Sequence, residues 1–130
     1  MIAIDTNIVL RYLVADDIEQ AAIAIDLIEN RLSSTSPGFL AVSVLVETAW
    51  VLKRRYGQAA SEIRNILAEL LLAPQLIVDQ AAMVERALAS KHPDFADALI
   101  HEIGRAAGCV KTVTFDRSFA RLNGVELLRS

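Results

Sequence analysis

Short runs of strand-forming apolar residues recur along this chain, each followed by a longer stretch with helical patterning. The runs are IAI at 2–4, FLAVS at 39–43, LIV at 76–78, VKTVTF at 110–115 and VELL at 125–128. Strand–helix alternation at this spacing means βαβ units, whose strands run parallel because each helix carries the chain back across the sheet. The expected fold is therefore α/β, with helices covering both faces of a parallel sheet. Composition agrees. Of 130 residues 54% are hydrophobic but only 5% aromatic, so the core must be built from Ala, Leu, Ile and Val. At this length we expect a single domain over 1–130.

Between the runs, the helices can be placed by their start and stop signals. IVLRYLVADDIEQAAIAIDLIENRL (8–32) reads as two helices broken around Ala15-Asp16-Asp17, and SSTSPG (33–38) as the one loop-like cluster. Ser43 is a candidate N-cap for VLVETAWVLKRRYG, which Gly57 would end. SEIRNILAELLLA stops at Pro74, QAAMVERALASK at His92-Pro93, and DFADALIHEIGRAAG at Gly108, while RSFARLNG is a helical turn.

The bulk properties narrow the function. A formal net charge of −3 gives no general basic footprint for nucleic acid, so a polyanionic substrate must be held by local Lys and Arg or by metal ions. No uncharged apolar run reaches the ~18 residues of a membrane-spanning helix. The amino terminus lacks a basic segment ahead of its apolar residues, so no signal peptide is expected. A lone Cys109 excludes an intramolecular disulfide and a thiolate cluster, fits a reducing cytoplasm, and is expected as a small core filler. Mean hydropathy of +0.39 is high for a soluble monomer; either an apolar surface is reserved for a partner, or Ala-rich helices raise the average.

Acids fall at matching topological positions. In open parallel sheets, ligands bind beyond the carboxyl ends of the strands. IAID puts Asp5 at that end of the first strand, and TVTFD puts Asp116 at the same end of a later one. Glu47 lies about one turn inside the helix that follows FLAVS, and Asp97 in the first turn of a helix beginning near Asp94. Four carboxylates on one edge would repel one another unless a cation sat among them. Oxygen donors without His or Cys select a hard ion, Mg²⁺ or Mn²⁺, and such ions serve phosphodiester hydrolysis. Each acid also has a plainer role open to it. Asp5 and Asp116 fit helix caps, Asp94 a cap or first-turn acid, and Asp97 a partner for His101 one turn on.

MIAIDTNIVL, the Glu of SVLVETAWVL, DFADALI and TFDRSFARLNGVELL together resemble the PIN domain, and more narrowly the VapC toxins of toxin–antitoxin pairs. The resemblance runs nearly the full chain, in order. It implies a PIN-like three-layer α/β/α sandwich with a central parallel sheet of about four to five strands. It also implies a Mg²⁺- or Mn²⁺-dependent endoribonuclease whose catalytic and metal-binding acids are Asp5, Glu47, Asp97 and Asp116. Asn7 and Thr114 match polar positions that orient an acid or a water. The VapC kind implies an RNA substrate, a cognate antitoxin, a homodimer or larger toxin–antitoxin assembly, and a cytoplasmic protein. One departure is Ser118, where many relatives carry a further acid, which removes a donor from a second metal ion. Among the cations, Arg11 and Arg117 are the first candidates for holding RNA, ahead of Lys111 and the Lys53-Arg54-Arg55 run, because each lies within about two turns of a proposed catalytic acid.

Three other readings remain at this stage. A phospho-acceptor or phosphatase would want paired acids at the first strand tip and a late Lys, and IDTN offers one acid. A non-catalytic binding module would be marked by a lost acid. An RNA-processing nuclease without an antitoxin differs only in its partner.

Overall fold

The computed structural model describes residues 1–129. Its elements alternate as the patterning predicts: β1 (Ile2–Ala3), α1 (Thr6–Leu13), α2 (Ile18–Ile25), β2 (Gly38–Leu40), α3 (Val42–Arg54), α4 (Ala60–Leu72), β3 (Leu76–Val78), α5 (Ala81–Ala89), α6 (Phe95–Ala106), β4 (Thr112–Thr114) and β5 (Val125–Leu127). A π-helical segment, Asp26–Arg31, extends α2, and a 3₁₀ turn, Phe119–Arg121, precedes β5.

Every strand pairing is parallel, but hydrogen bonding divides the five strands into two sheets, β1-β2-β3 and β4-β5, rather than one. The register sets Ile2 opposite Gly38, Gly38 opposite Leu76, and Thr112 opposite Val125. With two or three paired residues per strand, a ladder supplies few hydrogen bonds. Helix packing therefore carries the cohesion, and a continuous sheet is not required. The same brevity explains β1, which the apolar start predicts as core-bound: Ile2 is 51% exposed and only Ile4 is buried.

Helices form where apolar residues repeat at i, i+3 and i+4. In α3 the buried stripe is Leu45, Thr48, Ala49 and Leu52, which leaves Glu47, Trp50 and Arg54 on the open face. The core joins Val9, Ile28, Leu40, Leu45, Leu52, Leu67, Val84 and Leu99, aliphatic throughout as the composition requires. Gly38 is needed at the centre of the three-stranded sheet, because a Cβ there would lie 2.8 Å from Leu32 Cδ1 and 2.9 Å from Ile4 Cγ1. Two local expectations change. Ala41 rather than Ser43 caps α3, with no side-chain hydrogen bond, since β2 runs straight into the helix. Gly57 does end the helix, at φ +62°, with the Gln58 N–H reaching back to the Leu52 carbonyl at 3.0 Å. Cys109 is exposed beyond the end of α6, not a core filler. No described helix is long and apolar enough to cross a membrane.

Candidate active site

Chain direction puts the acids toward one edge in two linked groups: Asp5, Glu47 and Asp94 line one cleft, and Asp97 lies near Asp94 and Asp116. Parallel strands point their carboxyl ends the same way, and the helices that follow begin at that edge. Asp5 follows β1 and caps α1, its carboxylate accepting from the Asn7 N–H at 3.4 Å. Glu47 lies in α3, the helix following β2, and is exposed, so its apolar helix incurs no cost of burying a charge. Both line a cleft of about 800 Å³, together with Asp94, Lys53, Trp50 and His92.

Asp94 was expected to be a cap, and it is: its carboxylate accepts from the Asp97 N–H at 3.1 Å at the start of α6. Its cleft position adds a second role, which sequence position alone did not signal. It joins the Asp5–Glu47 side of the site to Asp97, whose carboxyl is raised above its ordinary value. The causes, in order, are burial and the negative charges of Asp94 and Asp116, opposed by His92 and Lys53. Asp116 completes the edge. The Thr114 hydroxyl accepts from its N–H at 3.0 Å, and its carboxylate accepts from the N–H groups of Ser118 at 2.8 Å and Phe119 at 3.3 Å. Thr114 thus contacts the backbone of Asp116, and Asn7 contacts the Asp5 carboxylate through its own backbone N–H. The capping and site readings of Asp5 and Asp116 are compatible, because a cap uses only part of a carboxylate's acceptor capacity.

Other expectations shift. His101 does not pair with Asp97. It is 4% exposed, and its Nδ1 lies 2.8 Å from Thr112 Oγ1, joining α6 to β4. Arg11 lies in the last turn of α1, away from the acids, where its guanidinium donates to Gln20 Oε1 at 2.7 Å and pairs with Asp16 at 3.5 Å. These contacts would compete with the RNA contact expected of Arg11. Lys111 is likewise paired, with Glu126 at 2.8 Å. Arg117 is exposed beside Asp116, in a separate shallow pocket with Phe115 and Leu128. His92, Trp50 and Arg64, all on the cleft, were not singled out by sequence; the helical spacing of Glu47, Trp50 and Arg54 was the available signal.

The donor chemistry fits a hard divalent ion: the acids are oxygen donors, and Asp97 carries the strain of like charge that a cation relieves. Among the described residues, no group of three or more Asp, Glu, His or Cys side chains is arranged as it stands to hold a metal ion.

The fold is a parallel α/β domain with acids at the carboxyl edge of its strands. The PIN domain profile matches residues 2–125, and the chain belongs to that family, whose members are generally nucleases. No curated protein matches the chain.

Proposed function

We propose that this chain is a Mg²⁺- or Mn²⁺-dependent endoribonuclease, and that it is the toxin of a VapC-type toxin–antitoxin pair. The observation that supports the first part is geometric: Asp5, Glu47 and Asp94 line one cleft, and the Asp94 carboxylate accepts from the Asp97 N–H at 3.1 Å, which ties Asp97 to that cleft. Asp5, Glu47, Asp97 and Asp116 would hold the ion, which when bound neutralises phosphate charge and acidifies a water. The chain's own groups supply the frame. The Asp94 cap fixes the first turn of α6 and with it Asp97, and the Thr114 hydroxyl fixes the turn that presents Asp116. Lys53 adds a positive charge near Asp97 that suits a phosphate substrate. Hydrolysis would break one P–O bond of the RNA backbone and leave the water oxygen on phosphorus.

The toxin part has its support at the surface. Ile18, Ile23 and Ile25 on α2, and Val113 and Phe115 at β4, are exposed apolar residues suited to an antitoxin and to a second copy in a homodimer. A cytoplasmic location belongs to this reading.

The test is cleavage of total cellular RNA by the purified chain with Mg²⁺, with Mn²⁺ and with chelator, beside Asp5→Asn and Asp97→Asn. Metal-dependent cuts at discrete sites, lost in both variants by at least about 100-fold, are expected from removing transition-state electrostatics. Intact RNA after incubation with folded, metal-supplied protein would overturn the nuclease. Growth arrest on expression, relieved by the product of a short adjacent gene, tests the toxin part.

A further inference from the structure

We propose that the cleft beside Asp5 and Glu47 is a subsite for one unpaired nucleotide of single-stranded RNA, with its base stacked on the Trp50 indole and the adjoining phosphates on Lys53, Arg54 and Arg64. The proposal rests on the nuclease reading for its substrate class and deepens that reading.

Trp50 is the chain's only tryptophan and is 60% exposed. It opens onto the same cleft as Asp5 and Glu47. It follows Glu47 by three residues on α3, so the two side chains leave the same face of the helix just under one turn apart, ~4.5 Å along the axis. The Arg54 guanidinium lies 6.0 Å from the centre of its ring. A guanidinium over an exposed indole already uses the interaction that a nucleobase would share, face-on stacking with a delocalised π system.

Charge complementarity selects the occupant. Lys53, Arg54 and Arg64 line the cleft together with the acids Asp5, Glu47 and Asp94; among the described residues none of the three cations has a carboxylate partner, and Arg64 donates only to the Lys91 carbonyl at 3.5 Å. Unpaired cations around an aromatic platform match the phosphate and base of a single strand. A duplex, whose bases are stacked on each other, cannot present a free face. The reacting phosphodiester would then lie toward the acids and the stacked base toward Trp50.

The single tryptophan makes the test direct. The full chain in chelator is titrated with a short single-stranded oligoribonucleotide and, separately, with the same sequence as a duplex, while tryptophan emission is followed. Single-stranded RNA should quench it saturably and duplex RNA should not. Asp5→Asn, which takes a negative charge out of the cleft, should bind single-stranded RNA at least as tightly as the parent while failing to cleave it, which separates binding from cleavage. In metal-supplied cleavage assays Trp50→Ala should raise KM about 10- to 100-fold with kcat nearly unchanged, since stacking serves substrate and transition state alike. Trp50→Phe should restore most of the loss. Cleavage that is unaffected by Trp50→Ala, or emission unmoved by RNA, would overturn the subsite and leave the nuclease standing. Quenching by single strands without any cleavage would keep the subsite and overturn the nuclease. Loss of a dimer in Trp50→Ala, seen by analytical ultracentrifugation with no change in RNA binding, would also overturn the subsite and assign the indole to a second copy.

Discussion

Asp97 shows how one side chain can work against the fold that holds it. Burial and the charges of Asp94 and Asp116 raise its carboxyl above the ordinary value of 3.8. A folded-state value above the unfolded one means that the native chain holds the proton more tightly. Stability from this residue is therefore largest at low pH and is lost as pH rises from the ordinary carboxylate value through the raised one. Asp97→Asn removes that loss. In chelator it should raise Tm at neutral pH, the gain shrinking as pH falls toward 3.8, while cleavage is abolished. Divalent ion should raise the Tm of the parent and not that of the variant. Thermal melts across pH, with and without Mg²⁺, check this, and equal destabilisation at every pH would refute it. Asp5 and Asp116 make the complementary point, since each caps a helical turn and still faces the site edge.

Between elements, the joint that matters most for the site links α6 to β4. Asp97 starts α6, Asp116 follows β4, and the His101–Thr112 hydrogen bond ties these two elements together at 2.8 Å. Gly124 closes the same joint: its φ is +87°, and a Cβ there would lie 3.1 Å from His101 Cε1. His101→Ala should cost about 1–3 kcal/mol by loss of the buried hydrogen bond and packing. Gly124→Ala should cost a comparable ~1–3 kcal/mol through backbone strain and contact. Because the two changes share one contact, the double variant should lose less than the sum, as measured by urea unfolding. Strict additivity would show that the joint is not a unit.

For the whole molecule, a net charge of −3 means that RNA affinity depends on a local cation cluster rather than on a general field. With Lys53, Arg54 and Arg64 neutralising phosphates, log K against log salt should have a slope of about −2, and Arg54→Gln should reduce it by about 0.7. A slope near zero would remove the phosphate contacts. The same distinction between local and global divides what could be read before the fold was known. Strand–helix alternation, the break at Ala15-Asp17, the stop at Gly57 and the acids at strand tips were legible because they follow from periodicity, backbone chirality and the shared direction of parallel strands, which are properties of adjacent residues. The split into two sheets, the exposure of Ile2 and Cys109, the pairing of His101 with Thr112 and the contacts of Arg11 with Asp16 and Gln20 were not. Each depends on which distant surface arrives opposite a residue. The same holds for the cleft that joins Trp50 to Asp5 and Asp94: only packing α3 against the start of α6 could place them together. Local patterning is enough to set the alternating elements and the residues that carry charge. The tertiary structure alone decided which of those charges face each other, because electrostatic and stacking energies depend on separation in space and not on separation along the chain.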